Sequence, residues 1–227
     1  MAVAFTELIK TKSNFIFIGE TGSGKSEISL NTAEVLQHQQ RGSVHLFDLD
    51  QTKALFRSRD AEAEMAKKGI SIHYMPQLLD TPVLVNGIIP HLRRNDSFCI
   101  LDVGGNENAA RMVGCLSEYL DSESTAAIYV LNPFRPWSGT IDDIDQTMYS
   151  ILGACHIDQI HFVANPTIGP DTSIHDVLTG LDLLHKSVPF RELSCIFICE
   201  DLLPQISLPD HLEIQPLHRF LTYPWQR

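Results

Sequence analysis

The sequence predicts an α/β protein, a mainly parallel β-sheet sandwiched by helices. Three observations predict it. Six short apolar runs alternate with longer amphipathic stretches: NFIFIG (14–19), SVHLFDLD (43–50), FCILDVGG (98–105), AAIYVLN (126–132), IHFVAN (160–165) and CIFICED (195–201). The runs are rich in Ile, Val and Phe and nearly continuous, the pattern of strands covered on both faces. Several end in Asp, Asn or Gly, and in a parallel sheet such ends share the carboxyl rim, where ligands gather.

Helices are predicted over 24–40, about 53–68, 106–120 and 174–184. In 106–120, Ala109, Met112, Val113, Leu116, Tyr119 and Leu120 keep the spacing of one apolar helix face. Ile174, Val177, Leu178, Leu181 and Leu184 do the same, and Ser173 with Asp176 has the spacing of a capping box. Gly69 stops the second helix. Thr81-Pro82 reads as a helix start, but Gly87 and Pro90 shorten whatever follows. There is no internal repeat, low-complexity tract or linker. Residues 1–227 are therefore expected to form one domain, with 188–227 as the last strand plus a C-terminal extension.

Composition excludes several classes. The chain is 44% hydrophobic, enough for a real core, and 28 acidic residues against 17 Lys and Arg give a formal charge of -11. Such a surface is a poor match for nucleic acid, which rewards clustered basic residues. No basic segment precedes an apolar run at the start, so no signal peptide is expected, and no run is long enough to span a membrane. Cys99, Cys115, Cys155, Cys195 and Cys199 are odd in number and lie mostly in apolar stretches. They read as buried thiols in a reducing, cytoplasmic setting. Cys195 and Cys199 would share one face of a strand, but a metal site needs further ligands. The ten histidines show no ligand spacing.

The chemistry is concentrated in Gly19-Glu20-Thr21-Gly22-Ser23-Gly24-Lys25-Ser26, which matches G-x-x-x-x-G-K-[ST] in full, behind a strand and ahead of a helix. The glycines let backbone N–H groups turn toward phosphate oxygens, and the helix N-terminus faces the same charge. Lys25 is expected to reach the β- and γ-phosphates and Ser26 to place its hydroxyl on Mg²⁺. The fold expected is therefore the P-loop NTPase fold.

Three strand ends complete the constellation. In FDLDQ, Asp48 and Asp50 are expected to point apart, with Asp50 near the phosphate rim orienting a water or a metal-bound water. In ILDVGG, Asp102 follows four apolar residues, as a metal-side carboxylate does, and Gly104-Gly105 suits a loop that senses a γ-phosphate. The glycine pair also fits a plain tight turn. In HFVANP, Asn165 offers a donor and an acceptor to a purine edge, or simply turns the chain.

Together these elements resemble the SIMIBI class of phosphate-loop NTPases, in its ParA/MinD-like branch, over about residues 12–187. The branch's strand-end D-x-D-x-Q is matched by Asp48, Asp50 and Gln51, which implies that Asp50 positions the attacking water. Its Walker B aspartate falls on Asp102, its D-x-x-G glycine on Gly105 and its base-reading asparagine on Asn165. The resemblance extends to bacterial ATP-binding proteins that share phrases such as ILDVGG and NPFRPWS. Two departures matter. The branch carries a lysine where this chain has Glu20, so the homodimer in which that lysine reaches the partner's nucleotide loses its trans cation. Arg57, Arg59 or Arg135 would be the replacement, unless they are tied up with Asp60 or Asp142. The base motif N-K-x-D is also absent, Asn165 being followed by Pro166, Thr167 and Ile168, which favours ATP over GTP.

The function expected is a Mg-ATP-binding protein, an ATPase acting as a switch or maturation factor for a partner protein. Lys25, Asp50 and Asp102 would be the catalytic set, and Ser26, Asp50 and Asp102 the metal set. A small-molecule kinase or ligase, with Arg57, Arg59, Arg135 and His73 lining its pocket, is one alternative. A non-hydrolysing nucleotide scaffold is the other.

Overall fold

The computed structural model describes residues 2–50, 56–75, 84–94, 96–105, 107–136, 141–155, 159–187, 193–208 and 212–222. Eight parallel strands form one sheet: β1 (Asn14–Ile18), β2 (Ser43–Asp48), β3 (Ile70–Tyr74), β4 (Ser97–Asp102), β5 (Thr125–Leu131), β6 (His161–Ala164), β7 (Leu193–Cys199) and β8 (Ile214–Leu217). Their order is β3-β2-β4-β1-β5-β6-β7-β8. The helices are α1 (Phe5–Thr11), α2 (Lys25–His38), α3 (Glu62–Lys67), α4 (Ile88–Leu92), α5 (Glu107–Gly114), α6 (Ile141–Cys155) and α7 (Ile174–Ser187). All six apolar runs became strands.

Both faces of the sheet are covered, as continuous apolar runs require. Phe15 and Phe17 of β1 point to a core shared with α1, α2 and α3, where Leu8, Ile28, Leu36 and Met65 are buried. Ile16 and Ile18 point the other way, to a core shared with α4 to α7, where Ile88, Val113, Met148 and Val177 are buried. The alternation follows from the two-residue period of a strand. Each such side chain, fully buried, contributes about 1.5–3 kcal/mol.

Several elements go beyond the sequence reading. β3 and β8 are the two edges of the sheet. β3 alternates buried Ile70 and Ile72 with exposed Ser71, so it lacks a continuous apolar run. β8 carries Pro216, which only an edge tolerates. The C-terminal segment thus adds a strand and then crosses α2: Asn31 Nδ2 donates to the His218 carbonyl and Asn31 Oδ1 accepts from its N–H, both at 2.8 Å. α1 and α6 were not anticipated.

Other expectations shift in detail. The second predicted helix is a 3₁₀ turn (Ser58–Ala61) leading into α3, and it does end at Gly69, whose φ is 80°. The third ends at Gly114, followed by a 3₁₀ turn at Ser117–Tyr119. α4 starts after Gly87 at φ 88° and holds Pro90 in its first turn, where no intrahelical donor is lost. Ser173 and Asp176 form the capping box, Ser173 N–H donating to Asp176 at 2.8 Å and Asp176 N–H to Ser173 Oγ at 3.3 Å. Cys99, Cys195 and Cys199 are buried as expected, but Cys115 is exposed, because it follows α5 where the chain turns outward. Gln51, Thr81-Pro82 and Cys155-His156 as a pair lie outside the described residues or side chains.

Candidate nucleotide-binding site

β1 runs straight into the loop at Gly19. Gly19, Gly22 and Gly24 have φ of 136°, 79° and 100°, values that strain any residue with a Cβ. Space is short as well: a Cβ at Gly19 would lie 2.7 Å from the Val130 carbonyl oxygen. Ser23 N–H closes the curl onto the Glu20 carbonyl at 3.1 Å. Lys25 and Ser26 open the 14-residue α2, both buried, and present its positive end to the curl. Lys25 Nζ lies inside, donating to the carbonyls of Gly19 (3.0 Å) and Glu20 (2.7 Å). Ser23 Oγ is buried with no hydrogen-bond partner among the described residues. Glu20 itself is 7% exposed.

The loop after β4 leans on this curl. Thr21 Oγ1 donates to the Gly105 carbonyl at 3.2 Å. A Cβ on Gly105 would come within 2.4 Å of Thr21 N, so only glycine permits the approach. Gly104 is equally close to the end of β2, where a Cβ would meet the Asp50 carboxylate carbon at 3.2 Å. Asp50 (3% exposed) and Asp102 (1%) are thus buried at the same rim as the phosphate loop. Leu49 N–H donates to the Asp102 carbonyl at 2.9 Å and joins the two strand ends. Ser26, Asp50 and Asp102 carry side-chain oxygens, the donor type that Mg²⁺ takes, and could hold one here.

Asp48 has a different fate. Residues two apart on a continuing strand share a face, but β2 ends at Asp48 and the carboxylates separate there. Asp48 Oδ1 accepts from Asp50 N–H at 3.0 Å, and Oδ2 accepts from Arg59 Nε at 2.6 Å. Arg59 also donates to the Asp50 carbonyl (2.9 Å) and the Met75 carbonyl (3.3 Å), with Tyr74 beneath its guanidinium at 5.0 Å. Burial opposes the charge on Arg59, but the hydrogen bond and attraction of Asp48 outweigh it and hold its pKa above the ordinary value. Arg59 is therefore a structural pin for the segment after β2, not a cation for phosphate. Arg57 pairs with Asp60 at 3.3 Å, the salt-bridge alternative anticipated for it.

Arg135 behaves differently. It lies half-buried after β5, and its Nε donates to the Gly22 carbonyl at 2.8 Å. The strand ends beside it are braced by Asn132, whose Nδ2 donates to the Thr167 carbonyl at 2.9 Å and whose Oδ1 accepts from Phe134 N–H at 3.0 Å. Nothing in the sequence singled out Asn132. Asn165, at the end of β6, reaches the phosphate loop: its Nδ2 donates to the Ser23 carbonyl at 2.8 Å. That bond fixes which end of the amide is nitrogen, since a carbonyl only accepts. Its Oδ1 is buried without a partner among the described residues.

One acid beside the site is perturbed. Glu27 follows Ser26 and accepts from Phe220 and Leu221 N–H of the C-terminal segment. Burial pushes its carboxyl up to about 7, although those N–H groups, His218 and Arg219 favour the charged form.

No family model and no curated protein matches the sequence. Among solved structures the chain is similar to the cell division protein FtsY of Thermotoga maritima, at 14% identity and a TM-score of 0.52, over 82% of this chain and 62% of that one. It is similar to the signal recognition particle 54 kDa protein of Aeropyrum pernix in complex with GDP (13% identity, TM-score 0.47, 82% and 41% covered). It is also similar to the signal recognition particle receptor FtsY of Elizabethkingia anophelis in complex with GDP (15% identity, TM-score 0.47, 75% and 53% covered). The chain spans less than two thirds of the length of each. No helix among the described residues is long and apolar enough to cross a membrane. The eight-stranded parallel sheet, the glycine loop opening α2 and the likeness to the first of these structures make this a P-loop NTPase fold.

Proposed function

We propose that this chain binds Mg-ATP and hydrolyses it as a nucleotide-dependent switch, read by a partner protein. One observation carries the reading: the loop after β4 touches both the phosphate loop, through Gly105 against Thr21, and the end of β2, through Gly104 against Asp50. A γ-phosphate placed in the curl would meet all three segments, so its presence or loss would move them together.

The residues divide the work. Lys25 and the backbone N–H groups of Gly19 to Ser26 hold the phosphates. Asp50 orients the attacking water. Mg²⁺, when bound by Ser26, Asp50 and Asp102, supplies neutralising charge. Positioning and electrostatics are most of what phosphoryl transfer requires. Asn165 supports adenine: beside the Nδ2 bond to Ser23, its buried Oδ1 is an acceptor that suits the exocyclic amine of adenine. The motifs that resemble the ParA/MinD-like branch support membership there, with Glu20 in place of the lysine that would act across a homodimer. Arg135, on the Gly22 carbonyl, takes over as a cation from the same chain.

The test is steady-state Mg-ATP hydrolysis by the purified chain, with Lys25→Ala as control and GTP as competitor. The expected result is turnover that the variant abolishes, with ATP preferred; a rate of about 1 s⁻¹ or more would mark a self-sufficient site. Tight ATP binding with no turnover would replace the switch by a scaffold. Turnover that rises only with a small-molecule acceptor would replace it by a kinase.

A further inference from the structure

We propose that His45, His73 and His91 form a binding site for a late first-row divalent transition metal, with Zn²⁺ as its probe. The three come from separate elements, β2, β3 and α4, and one ring nitrogen of each lies within 4.8 Å of the other two. His45 Nδ1 and His73 Nε2 are 3.0 Å apart. Ligand nitrogens around a tetrahedral ion with metal–nitrogen bonds of about 2.0–2.1 Å stand roughly 3.3–3.4 Å apart. The His45–His73 pair thus stands near ligand spacing, with a ring nitrogen of His91 within 4.8 Å of both.

Independent details point the same way. His91 Nδ1 is buried and has no hydrogen-bond partner among the described residues, which is costly for a polar atom unless something fills the position. His45 Nε2 lies 3.0 Å from Ser43 Oγ. A proton held there leaves Nδ1 with its lone pair facing the cluster, the outer-partner arrangement of metal-bound histidines. The rings of His45 and His91 lie 3.7 Å apart between centroids, and Phe47 stacks on His73 at 4.6 Å, so the imidazoles are held by packing.

The donor set chooses the metal. Three imidazoles suit zinc, copper, nickel or iron and leave a fourth position for water, whereas magnesium prefers oxygen. The neighbouring charges are the Arg94–Asp96 pair, which oppose and favour a cation respectively. The cluster is distinct from the nucleotide rim but adjoins it, since His73 precedes Tyr74, the ring under Arg59, and Phe47 precedes Asp48.

The experiment uses the full chain without nucleotide and with Mg²⁺ in excess. Zn²⁺ is titrated by calorimetry and followed through the imidazole ¹⁵N resonances. One equivalent is expected to bind with micromolar or tighter affinity, moving three of the ten histidine rings. His73→Gln and His91→Gln should each weaken it by at least about tenfold, the least that loss of even an outer partner costs. Co²⁺ should give the visible absorption of a tetrahedral nitrogen site. Absence of saturable Zn²⁺ binding, movement of other rings, or undiminished affinity in both variants would overturn the proposal. Thermal melts show whether the variants fold, and if they do not, the wild-type spectra decide.

Discussion

Two arginines stand near the nucleotide rim, one in the segment after β2 and one after β5. Arg59 is spent: Nε, both terminal nitrogens and the guanidinium face all have partners, and its side chain is 8% exposed. Arg135 is half-buried, and among the described residues its guanidinium bonds to a carbonyl of the phosphate loop. The same side chain is thus a rivet in one loop, while in the other the proposed function makes it a charge free to turn to phosphate. The difference lies in the partner. Asp48 is a buried carboxylate that must be neutralised where it stands, whereas Gly22 offers only a neutral oxygen that a charge can leave at little cost.

Four substitutions break or sharpen that contrast. The largest effect is expected from Arg135→Ala, which should slow single-turnover ATP hydrolysis by about 10³-fold or more, the scale of an arginine acting on the transferring phosphoryl group. ATP affinity and thermal stability should change little, and Arg135→Lys should rescue poorly because the planar fork is lost. Arg59→Ala should instead destabilise the fold by about 3–5 kcal/mol in urea titrations, because Asp48 is left as an uncompensated buried charge. An Asp48→Leu/Arg59→Met double variant should recover most of that loss. If Arg59→Ala folded normally and lost only turnover, the two arginines would have to exchange roles.

Gly105→Ala probes the contact that both loops surround. A Cβ 2.4 Å from Thr21 N cannot be accommodated by a side-chain rotation, since the obstacle is backbone. The phosphate loop must shift, and ATP affinity measured by calorimetry should fall by about 1–3 kcal/mol.

The smallest effect concerns Glu27, an acid that, unlike Asp48, has backbone N–H groups but no guanidinium hydrogen-bonded to it. Its folded-state pKa of about 7 lies above the unfolded value of 4.5. Between those values the folded state binds more protons, so this group costs stability as pH rises from about 4.5 to 7. Glu27→Gln should therefore stabilise the protein at pH 8 and leave it nearly unchanged at pH 4, in melts compared across that range.

What could be read in advance depended on distance along the chain. The phosphate loop is eight consecutive residues, and its strand-loop-helix setting is encoded locally, so it was legible in full. Its contacts are not local. Thr21 to Gly105, Gly22 to Arg135 and Ser23 to Asn165 span 84, 113 and 142 residues. Such pairs depend on strand order, which the sequence pattern left open. The same limit hid His45, His73 and His91, whose spacing means nothing until β2, β3 and α4 are neighbours. It also hid the partner of Asp48, because Arg59 meets that acid only where β2 ends. Central strands announced themselves through unbroken apolar runs. The edge strands did not: β3 is covered on one face in alternation, and β8 contains a proline.

The bond between Asn165 and the Ser23 carbonyl has a consequence for inheritance. A Cβ at Gly24 would fall 2.0 Å from Asn165 Nδ2. A side chain at residue 24 would have to turn the Asn165 amide aside and break its bond to Ser23, besides straining a backbone held at φ 100°. Covariation between a glycine in the first third of the chain and a polar residue 141 positions later is the trace that this single approach should leave among descendants.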